Sequence, residues 1–389
     1  MSAVGPGTPV RVAVVGLGWA SREIWLPRLL RNPAYQVTAF VEPAEDARTA
    51  VLDELADSGL SEVAGYSDVD ELPVHTVDLA VVAVPNHLHA SVACRLLRRG
   101  VLVFLEKPLC LSSTEAADLA EAEKAGGAVL LGGSAARHRA DVTALRELIP
   151  ALGALRHIEV SWVRARGIPD RGGWFTSRTR SGGGALVDLG WHLLDVARSL
   201  LNGVTGSPAG VELEHAIGSV SADFINNHAF QAAWRGETLP DPVTGDVEDT
   251  ARGFLVTRSG ISVGVHASWA SHQKLDTTVL RLDGSEGSAE LHCTFGFSPN
   301  RADRPTLVHT SGGRSAPVEL PVEAVGAEYD TQLELLPALL AHLGTRGHAA
   351  AEAGWVVSAI EQIYGAASAT RCVEPASARS ELLGTGATR

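Results

Sequence analysis

Short apolar runs rich in β-branched residues alternate with helical periodicities over the first third of the chain. The runs are nearly uninterrupted, which is typical of strands buried on both faces of a parallel sheet. They cover residues 10–15, 36–41, 79–84, 101–105 and 128–131, and the helical patterns between them lie near residues 47–56, 89–99 and 113–125. Because strands alternate with helices, we predict βαβ units and a doubly wound parallel sheet, an α/β arrangement, over residues 1–133.

Beyond residue 133 the strand-like runs follow one another without helices between them. Ser259-Gly260 and Asp283-Gly284 are typical hairpin turns. The runs cover residues 157–166, 251–258, 262–268, 277–282, 288–293 and 306–309, and helical patterns cover residues 141–148, 329–343 and 352–367. We therefore predict, over residues 134–389, an α+β domain with a large open, mostly antiparallel sheet that leaves one face available to substrate, partners or subunits.

The first predicted strand ends in a glycine-rich turn that opens a helix. Gly16 permits the tight turn, and Gly18 lets the backbone approach a pyrophosphate at the helix N-terminus. Ser21, a small residue, takes the third position of this fingerprint. Glu42 follows the second strand, where a carboxylate accepts the ribose hydroxyls of NAD and repels the 2′-phosphate of NADP. The pattern predicts a Rossmann domain that binds NAD; an incidental glycine turn is the competing interpretation.

A Pro-Asn-His-Leu-His segment follows the apolar run at residues 79–84. Pro85 ends the run, and Asn86 can cap the next helix or hydrogen-bond a ribose. His87 and His89 lie two residues apart, but no third metal ligand is evident nearby. We therefore predict a cofactor or helix-capping role for this segment, and no metal site.

Lys107 stands out because lysine occurs only three times among the 32 Lys and Arg residues. It follows the buried run at residues 101–105, which places it at the carboxyl end of a parallel strand, where open α/β sheets bind ligands. An ammonium can shift its pKa or give up a proton, which a guanidinium cannot. A surface lysine in a turn is the alternative interpretation.

Gly182, Gly183 and Gly184 lead into an amphipathic helical pattern that carries Asp188 and His192. Residues four apart lie on one face of a helix. An imidazole suits proton transfer near neutral pH, and a carboxylate one turn away can orient the ring or share the proton. The alternatives are a local Asp–His helix pair and a histidine buried in the core.

Composition and charge narrow the function classes. With 45% hydrophobic and 20% charged residues, the 389-residue chain is typical of a two-domain globular protein. A net charge of −13 argues against nucleic acid and anionic membranes as partners. The four cysteines are scattered and residues 1–9 carry no signal-peptide pattern, so we expect a reducing, cytoplasmic location. No apolar stretch approaches the ~20 residues of a membrane helix.

Together the motifs resemble the glucose–fructose oxidoreductase / inositol dehydrogenase / rhizopine-catabolism (Gfo/Idh/MocA) family. The matching motifs are Gly16/Gly18, Pro85-Asn86 with His89, Glu106-Lys107-Pro108, and Gly182-Gly183-Gly184 with Asp188 and His192, in the family's order and spacing. The resemblance implies that Lys107, Asp188 and His192 converge at the nicotinamide as the catalytic set, and that the chain forms homodimers or homotetramers through its open sheet. The expected cofactor contacts are Gly16, Gly18, Trp19, Ala20, Ser21, Glu42, Pro85, Asn86, His89, Glu106 and Lys107.

The resemblance also implies an NAD-dependent oxidoreductase that acts on a secondary alcohol or ketone of a sugar, aminosugar or cyclitol. His192 would be the acid–base group, and Lys107 would stabilise negative charge. The Arg- and Ala-rich composition is suggestive of a high-GC bacterium, where such enzymes often serve antibiotic-sugar pathways, so an aminoglycoside is a permissible substrate. The alternatives are an NAD-dependent glycoside hydrolase of the same fold, a non-catalytic dinucleotide-sensing regulator and, remotely, a metal-dependent hydrolase built on His87, His89 and His192.

The candidate substrate contacts are Arg137, Trp174 and Arg178, with Arg180 beside them. In the segment that begins at Arg137, only the arginine matches the family's Arg-aromatic-x-Pro pattern. A tryptophan ahead of the glycine run suits a sugar ring. The polar stretch at residues 222–249, which contains Trp234 and Arg235, either shapes a pocket or is a surface excursion.

Overall fold

The computed structural model describes residues 8–57, 62–169, 173–202, 204, 208–232, 245–341 and 343–371. Six parallel strands form the first sheet: β1 (Val10–Val15), β2 (Tyr35–Val41), β3 (Ala64–Tyr66), β4 (Leu79–Val82), β5 (Leu102–Glu106) and β6 (Leu130–Gly133). Their order across the sheet is β3-β2-β1-β4-β5-β6. The helices of this part are α1 (Leu26–Arg31), α2 (Glu45–Asp57), α3 (His89–Arg98) and α4 (Ser113–Gly126). The predicted doubly wound α/β fold is therefore confirmed.

The uninterrupted apolar runs arise because the central strands are covered on both faces. All four residues of β4 are fully buried, and β1 is buried from Val12 to Val15. Strand β3 was not predicted. Its three residues, Ala-Gly-Tyr, lie at the sheet edge and form no apolar run, so periodicity carries no signal there.

Eight strands form the second sheet: β7 (Leu155–Val163), β8 (Leu213–Ser221), β9 (Thr250–Thr257), β10 (Ser262–Ser268), β11 (Thr277–Gly284), β12 (Gly287–Cys293), β13 (Thr306–Ser311) and β14 (Arg314–Val318). They lie in the order β14-β13-β12-β11-β7-β10-β9-β8, and only the β7–β10 pair is parallel. The predicted open, mostly antiparallel sheet is confirmed. The edge strands β8 and β14 were missed, because β8 is half polar and β14 contains Pro317.

Five more α-helices follow in the described residues: α5 (Ala140–Glu147), α6 (Arg178–Ser181), α7 (Ala185–Asn202), α8 (Ala327–Ala341) and α9 (His348–Arg371). Helix α7 packs against β7 and β10 on one side and against α9 on another, so most of its residues are buried. This packing fixes the direction in which its polar residues point. Within the described ranges, no helix is both long and apolar enough to cross a membrane.

The open face of the second sheet carries exposed apolar side chains. Ile217 on β8 and Phe254 on β9 are paired across the strands, and they are 69% and 44% exposed. Exposed apolar residues side by side suit burial against another chain. Self-association through this face stays a prediction.

Helix α8 belongs to the later part of the sequence but packs on the first sheet. Leu333 and Leu336 lie in one buried cluster with Val12 and Phe40, and the Tyr35 hydroxyl donates a hydrogen bond to the Leu333 carbonyl. A helix from the region predicted as the second domain therefore completes the core of the first. The division at residue 133 stays a prediction for the chain as a whole.

This packing predicts different outcomes for two neighbouring leucines of α8. Leu336 is 1% exposed and Leu335 is 43% exposed. We expect Leu336→Ala to lower the free energy of unfolding by about 2–5 kcal/mol, because it leaves a cavity in the first core. Leu335→Ala, the matched control, is expected to change it by less than about 0.5 kcal/mol. Urea denaturation of both variants measures the difference, and equal effects would contradict the placement of α8.

Candidate active site

A cleft of about 810 Å³ lies between the carboxyl ends of the first sheet and the second domain. Open α/β sheets bind their ligands at this edge. All of the predicted cofactor contacts except Ser21 line the cleft, and so do Lys107, Asp188 and His192. Ser21 is fully buried and does not line the cleft. The structure therefore brings the predicted cofactor contacts and the predicted catalytic residues together in one cavity.

The turn after β1 contains two glycines, and the lack of a side chain matters at each for a different reason. Gly16 has φ +87°, and a Cβ there would lie 2.7 Å from the Ala83 carbonyl oxygen. A Cβ on Gly18 would meet nothing within 4 Å, so the backbone at Gly18 is open to the cleft. The first glycine is needed for the turn itself, whereas the second leaves room for a ligand to approach the backbone.

Glu42 faces this turn from the end of β2. Its carboxylate accepts hydrogen bonds from the Leu17 N–H at 3.0 Å and from the Ala44 N–H at 3.1 Å. The two amides hold the carboxylate at the edge of the cleft. This is the place where an acidic residue meets the adenosine ribose in dinucleotide-binding sheets, so the residues present fit a bound NAD.

The segment after β4 contacts both the second domain and the segment that follows β5. The Asn86 amide donates to the Ser181 carbonyl at 3.0 Å, which ties the first domain to the second. The His89 ring nitrogens lie 2.6 Å from the Pro108 carbonyl oxygen and 2.7 Å from that of Val84. Burial lowers the pKa of His89 to about 4. The two carbonyl contacts oppose this effect of burial. A neutral imidazole carries one N–H, so the neutral ring donates to only one of these carbonyls, and it lies between the segments that follow β4 and β5.

Glu106 fixes the backbone beside Lys107. Its Oε1 accepts a hydrogen bond from the Trp25 indole N–H at 2.8 Å, and its Oε2 accepts one from the Lys107 N–H at 2.8 Å. Burial raises the pKa of Glu106. The residue is thus part of the cleft floor and positions the lysine that follows it.

Lys107 and Asp188 form an ion pair across the domain boundary. The Lys107 Nζ donates to Asp188 Oδ1 at 2.7 Å, and the Trp269 indole N–H donates to Oδ2 at 2.9 Å. Burial alone would raise the pKa of Asp188, but Lys107 and Arg164 outweigh it and hold that pKa below its usual range. Asp188 is therefore a fixed carboxylate that orients Lys107. The sequence had suggested His192 as its partner.

His192 lies one turn after Asp188 and faces the cleft. Among the described residues none hydrogen-bonds its ring, and the nearest aromatic contact is Trp162, with 5.7 Å between ring centroids. Burial, followed by the charges of Lys107 and Arg164, lowers the pKa of His192 to about 3. The imidazole is thus neutral at physiological pH, with one unprotonated ring nitrogen.

Glu248, which the sequence did not single out, anchors the start of α7. Its Oε1 accepts hydrogen bonds from the N–H groups of Gly184 and Leu186 at 2.9 and 3.0 Å, and from the Tyr364 hydroxyl at 2.8 Å. A Cβ on Gly184 would lie 1.8 Å from the Glu248 carbonyl oxygen, and one on Gly183 would lie 2.1 Å from the Tyr364 hydroxyl. These glycines therefore admit two buried partners that set the position of the helix.

Of the predicted substrate contacts, some line the cleft and others do not. Trp174 lines the cleft and contacts Phe175, with 4.1 Å between ring centroids and the ring planes tilted by 32°. Arg137 does not reach the cleft, because its guanidinium pairs with Asp195 and, at 2.7 Å, with Glu352.

Four further residues complete the comparison with the sequence. Arg178 lies outside the cleft as well, over the Tyr364 ring and 3.7 Å from Glu248, and Arg180 is not among the lining residues. Trp234 and Arg235 lie outside the described residues.

Sequence reasoning missed three residues that lie beside the predicted catalytic set: Trp162, Arg164 and Trp269. Trp162 and Arg164 lie at the carboxyl end of β7, and their Trp-x-Arg spacing at a strand end was the available signal. His87 is exposed and does not line the cleft. No group of three or more potential metal-ligating side chains occurs among the residues that the structure describes.

Comparison with known families agrees with this geometry. Residues 10–133 match a family model described as "Oxidoreductase family, NAD-binding Rossmann fold", and residues 142–290 match the GFO/IDH/MocA C-terminal domain. Together the two models span more than half of the chain.

Three curated relatives illustrate the similarity. The chain is 50% identical to a putative UDP-kanosamine synthase oxidoreductase subunit of Amycolatopsis mediterranei, over 93% of this chain and 97% of the relative. It is 26% identical to the D-glucoside 3-dehydrogenase of Escherichia coli, over 77% and 82% of the two chains. It is 29% identical to the dTDP-3,4-didehydro-2,6-dideoxy-α-D-glucose 3-reductase of Streptomyces violaceoruber, over 77% and 76%. The relatives of this chain thus include sugar dehydrogenases and reductases. The first domain of the chain is an NAD-binding Rossmann domain. The chain therefore belongs to the GFO/IDH/MocA oxidoreductase family.

Proposed function

We propose that the protein is an NAD-dependent oxidoreductase that interconverts a secondary alcohol and a ketone at position 3 of a hexose-type sugar or aminosugar. The observation that carries the proposal is the joint position of Lys107, Asp188 and His192 in a cleft whose other end fits a dinucleotide. The position on the sugar ring rests on two relatives, a D-glucoside 3-dehydrogenase and a sugar 3-reductase.

The cofactor end of the cleft favours NAD over NADP. Gly16 and Gly18 shape the turn that would receive the pyrophosphate, and Glu42 would accept the ribose hydroxyls. A 2′-phosphate would meet the Glu42 carboxylate, which is held in place by two backbone amides. When bound, NAD supplies the acceptor for the hydride that leaves the carbinol carbon.

His192 is the proposed base. During alcohol oxidation, an unprotonated nitrogen of its ring accepts the hydroxyl proton, so that the oxygen forms the ketone as the C–H bond breaks. Its lowered pKa keeps the ring neutral before substrate binds. In the direction of ketone reduction, the same nitrogen returns the proton to the oxygen.

Lys107 is the proposed electrostatic partner of the reacting oxygen. An ammonium has three donors, and Asp188 accepts from one of them. The others can point to an oxygen on which negative charge develops, where a fixed donor in a water-poor cleft is most effective. Asp188 and Trp269 keep the lysine from turning away.

The first test is a substrate and cofactor screen with the purified protein. Glucosides, UDP- and dTDP-linked glucose, aminosugars and inositols are each supplied with NAD or NADP, and the absorbance of the reduced nicotinamide is followed. We expect turnover of a hexose derivative with NAD, and little with NADP because of Glu42. A strong NADP preference would contradict the role of Glu42. Cleavage of an aryl glycoside without accumulation of NADH would point instead to glycoside hydrolysis.

The roles of His192 and Lys107 predict large losses of turnover. We expect His192→Ala to lower kcat by about 10²–10⁴-fold, since it removes the acid–base group. Lys107→Met is expected to lower kcat by about 10²–10³-fold, since it removes the donor at the reacting oxygen. His87→Gln is the control, because His87 is exposed outside the cleft. Steady-state kcat is measured for the three variants with NAD and compared with that of the wild type. Near-wild-type turnover in either cleft variant would refute the role assigned to that residue.

The lowered pKa of His192 predicts an unusual pH profile. A base with a pKa of about 3 stays deprotonated as the pH falls through the ordinary range of histidine. We therefore expect kcat/KM for alcohol oxidation to show no acidic limb near the ordinary histidine pKa of about 6.5. The pH dependence of kcat/KM between roughly pH 5 and 8 measures this, and an inflection near the ordinary value would count against a buried, neutral His192.

A further inference from the structure

Phe297 brings an aromatic ring of the second domain to the wall of the cleft. It lies between β12 and β13, and its ring contacts Trp19 of the first domain edge-on, with 6.2 Å between ring centroids. Both side chains line the cleft, and Phe297 and Trp19 are 42% and 53% exposed. Two exposed aromatic rings therefore meet across the domain boundary, next to the glycine turn that Trp19 follows.

The backbone that carries Phe297 is held by hydrogen bonds. The Arg301 guanidinium donates to the carbonyl oxygen of Thr294 at 2.9 Å and also to that of Gly296. The Ala302 N–H donates to the Thr294 hydroxyl at 3.1 Å. Gly296 has φ +68°, a backbone conformation that favours glycine. The loop therefore presents the Phe297 ring in a fixed position, so that little ordering is needed when a ligand contacts it.

Helix α8 supports the Phe297 ring from the first domain. The Tyr329 ring lies nearly parallel to it, with 5.6 Å between centroids and 17° between ring planes. A Cβ on Gly326 would lie 2.9 Å from Phe297 Cε1, so the lack of a side chain there makes room for the ring. These contacts hold the ring against α8 and still leave a large part of it exposed.

The neighbours of Phe297 place it near the redox end of the cleft. The preceding residue, Gly296, packs on Trp162, because a Cβ on Gly296 would lie 3.4 Å from two carbons of the Trp162 ring. The same indole contacts the His192 imidazole, with 5.7 Å between ring centroids. Phe297 is therefore one residue away from a ring that contacts the proposed base.

We propose that Trp19 and Phe297 together contact the nicotinamide half of the bound dinucleotide, so that Phe297 is a cofactor-binding residue supplied by the second domain. Exposed aromatic surface is stabilised when a planar ring covers it. The oxidised nicotinamide also carries a positive charge, which the faces of aromatic rings attract. The inference rests on the proposed function, since that function places the nicotinamide beside His192.

Calorimetric binding of NADH and of ADP-ribose to the full chain tests the proposal, because only NADH carries the nicotinamide. We expect Phe297→Ala to weaken NADH binding roughly tenfold, the usual effect of losing one stacked ring, and to leave the ADP-ribose affinity nearly unchanged. Trp19→Ala is expected to act in the same direction. A merely structural role of either ring would change the affinities for both ligands alike.

Two further variants make the test specific. Val322→Ala shortens a fully exposed apolar side chain outside the cleft and should change neither affinity. Phe297→Leu keeps an apolar side chain but lacks the aromatic ring, so its NADH affinity should fall between those of the wild type and Phe297→Ala. This conservative variant also covers the case in which the alanine variant fails to fold.

The outcomes separate this proposal from the proposed function. If Phe297→Ala leaves the NADH affinity unchanged, or weakens ADP-ribose binding by as much, the contact with the nicotinamide is refuted. Oxidation of a sugar by the wild type would then still support the redox function. If Phe297→Ala weakens NADH alone but no sugar in the screen is oxidised, the redox function fails and the contact with the nicotinamide stands.

Discussion

The ion pair between Lys107 and Asp188 joins the two domains at the point where the proposed chemistry takes place. Lys107 follows β5 of the first sheet, and Asp188 lies in the first turns of α7 in the second domain. Their side chains are only 18% and 14% exposed, so removal of either partner would leave a poorly solvated charge. The pair therefore fixes the distance between the cofactor end of the cleft and His192. Glu106 holds the backbone of Lys107, Trp269 holds the carboxylate of Asp188, and Glu248 holds the start of the helix that carries Asp188.

Local sequence patterns drew attention to Lys107, Asp188 and His192, the proposed catalytic set, because each lies at a position with a simple structural meaning. Lys107 ends a buried strand, and Asp188 and His192 share one helix face. The same reasoning gave the wrong partner for Asp188. Spacing of four residues shows that two side chains can meet on a helix, but it cannot show that a lysine 81 positions away lies closer. Long-range partners are decided by the packing of whole elements, which periodicity does not encode.

The first sheet and most of the second were predictable for a related reason. Strands buried on both faces need continuous apolar runs, whereas the edge strands β3, β8 and β14 meet solvent and lose that signal. The candidate substrate contacts show the same limit. Arg137 and Trp174 look equally suitable in the sequence, yet Arg137 is held by two carboxylates away from the cleft, while Trp174 lines it. Neither outcome follows from the residues next to them.

Three glycines lead into α7, and the structure shows why two of them have no side chain. Gly183 and Gly184 let Tyr364 and Glu248 approach the first turn of the helix more closely than any side chain would allow. A buried carboxylate then satisfies the N–H groups that every helix leaves open at its start. Burial raises the pKa of Glu248, and the hydrogen bonds from Gly184, Leu186 and Tyr364 oppose that change. Helix α7, which carries Asp188 and His192, is thus held by its end as well as by its packed faces.

The late position of helix α8 in the sequence has a consequence for folding during translation. The core around β1 and β2 remains open on one side until Leu333 and Leu336 have been synthesised, almost three hundred residues after Tyr35. The nucleotide-binding half therefore cannot close its core while it emerges. The second sheet is complete in sequence before α8 arrives. The earliest part of the chain is thus among the last to reach its final packing, and a nascent chain truncated before α8 would expose the apolar face that this helix covers.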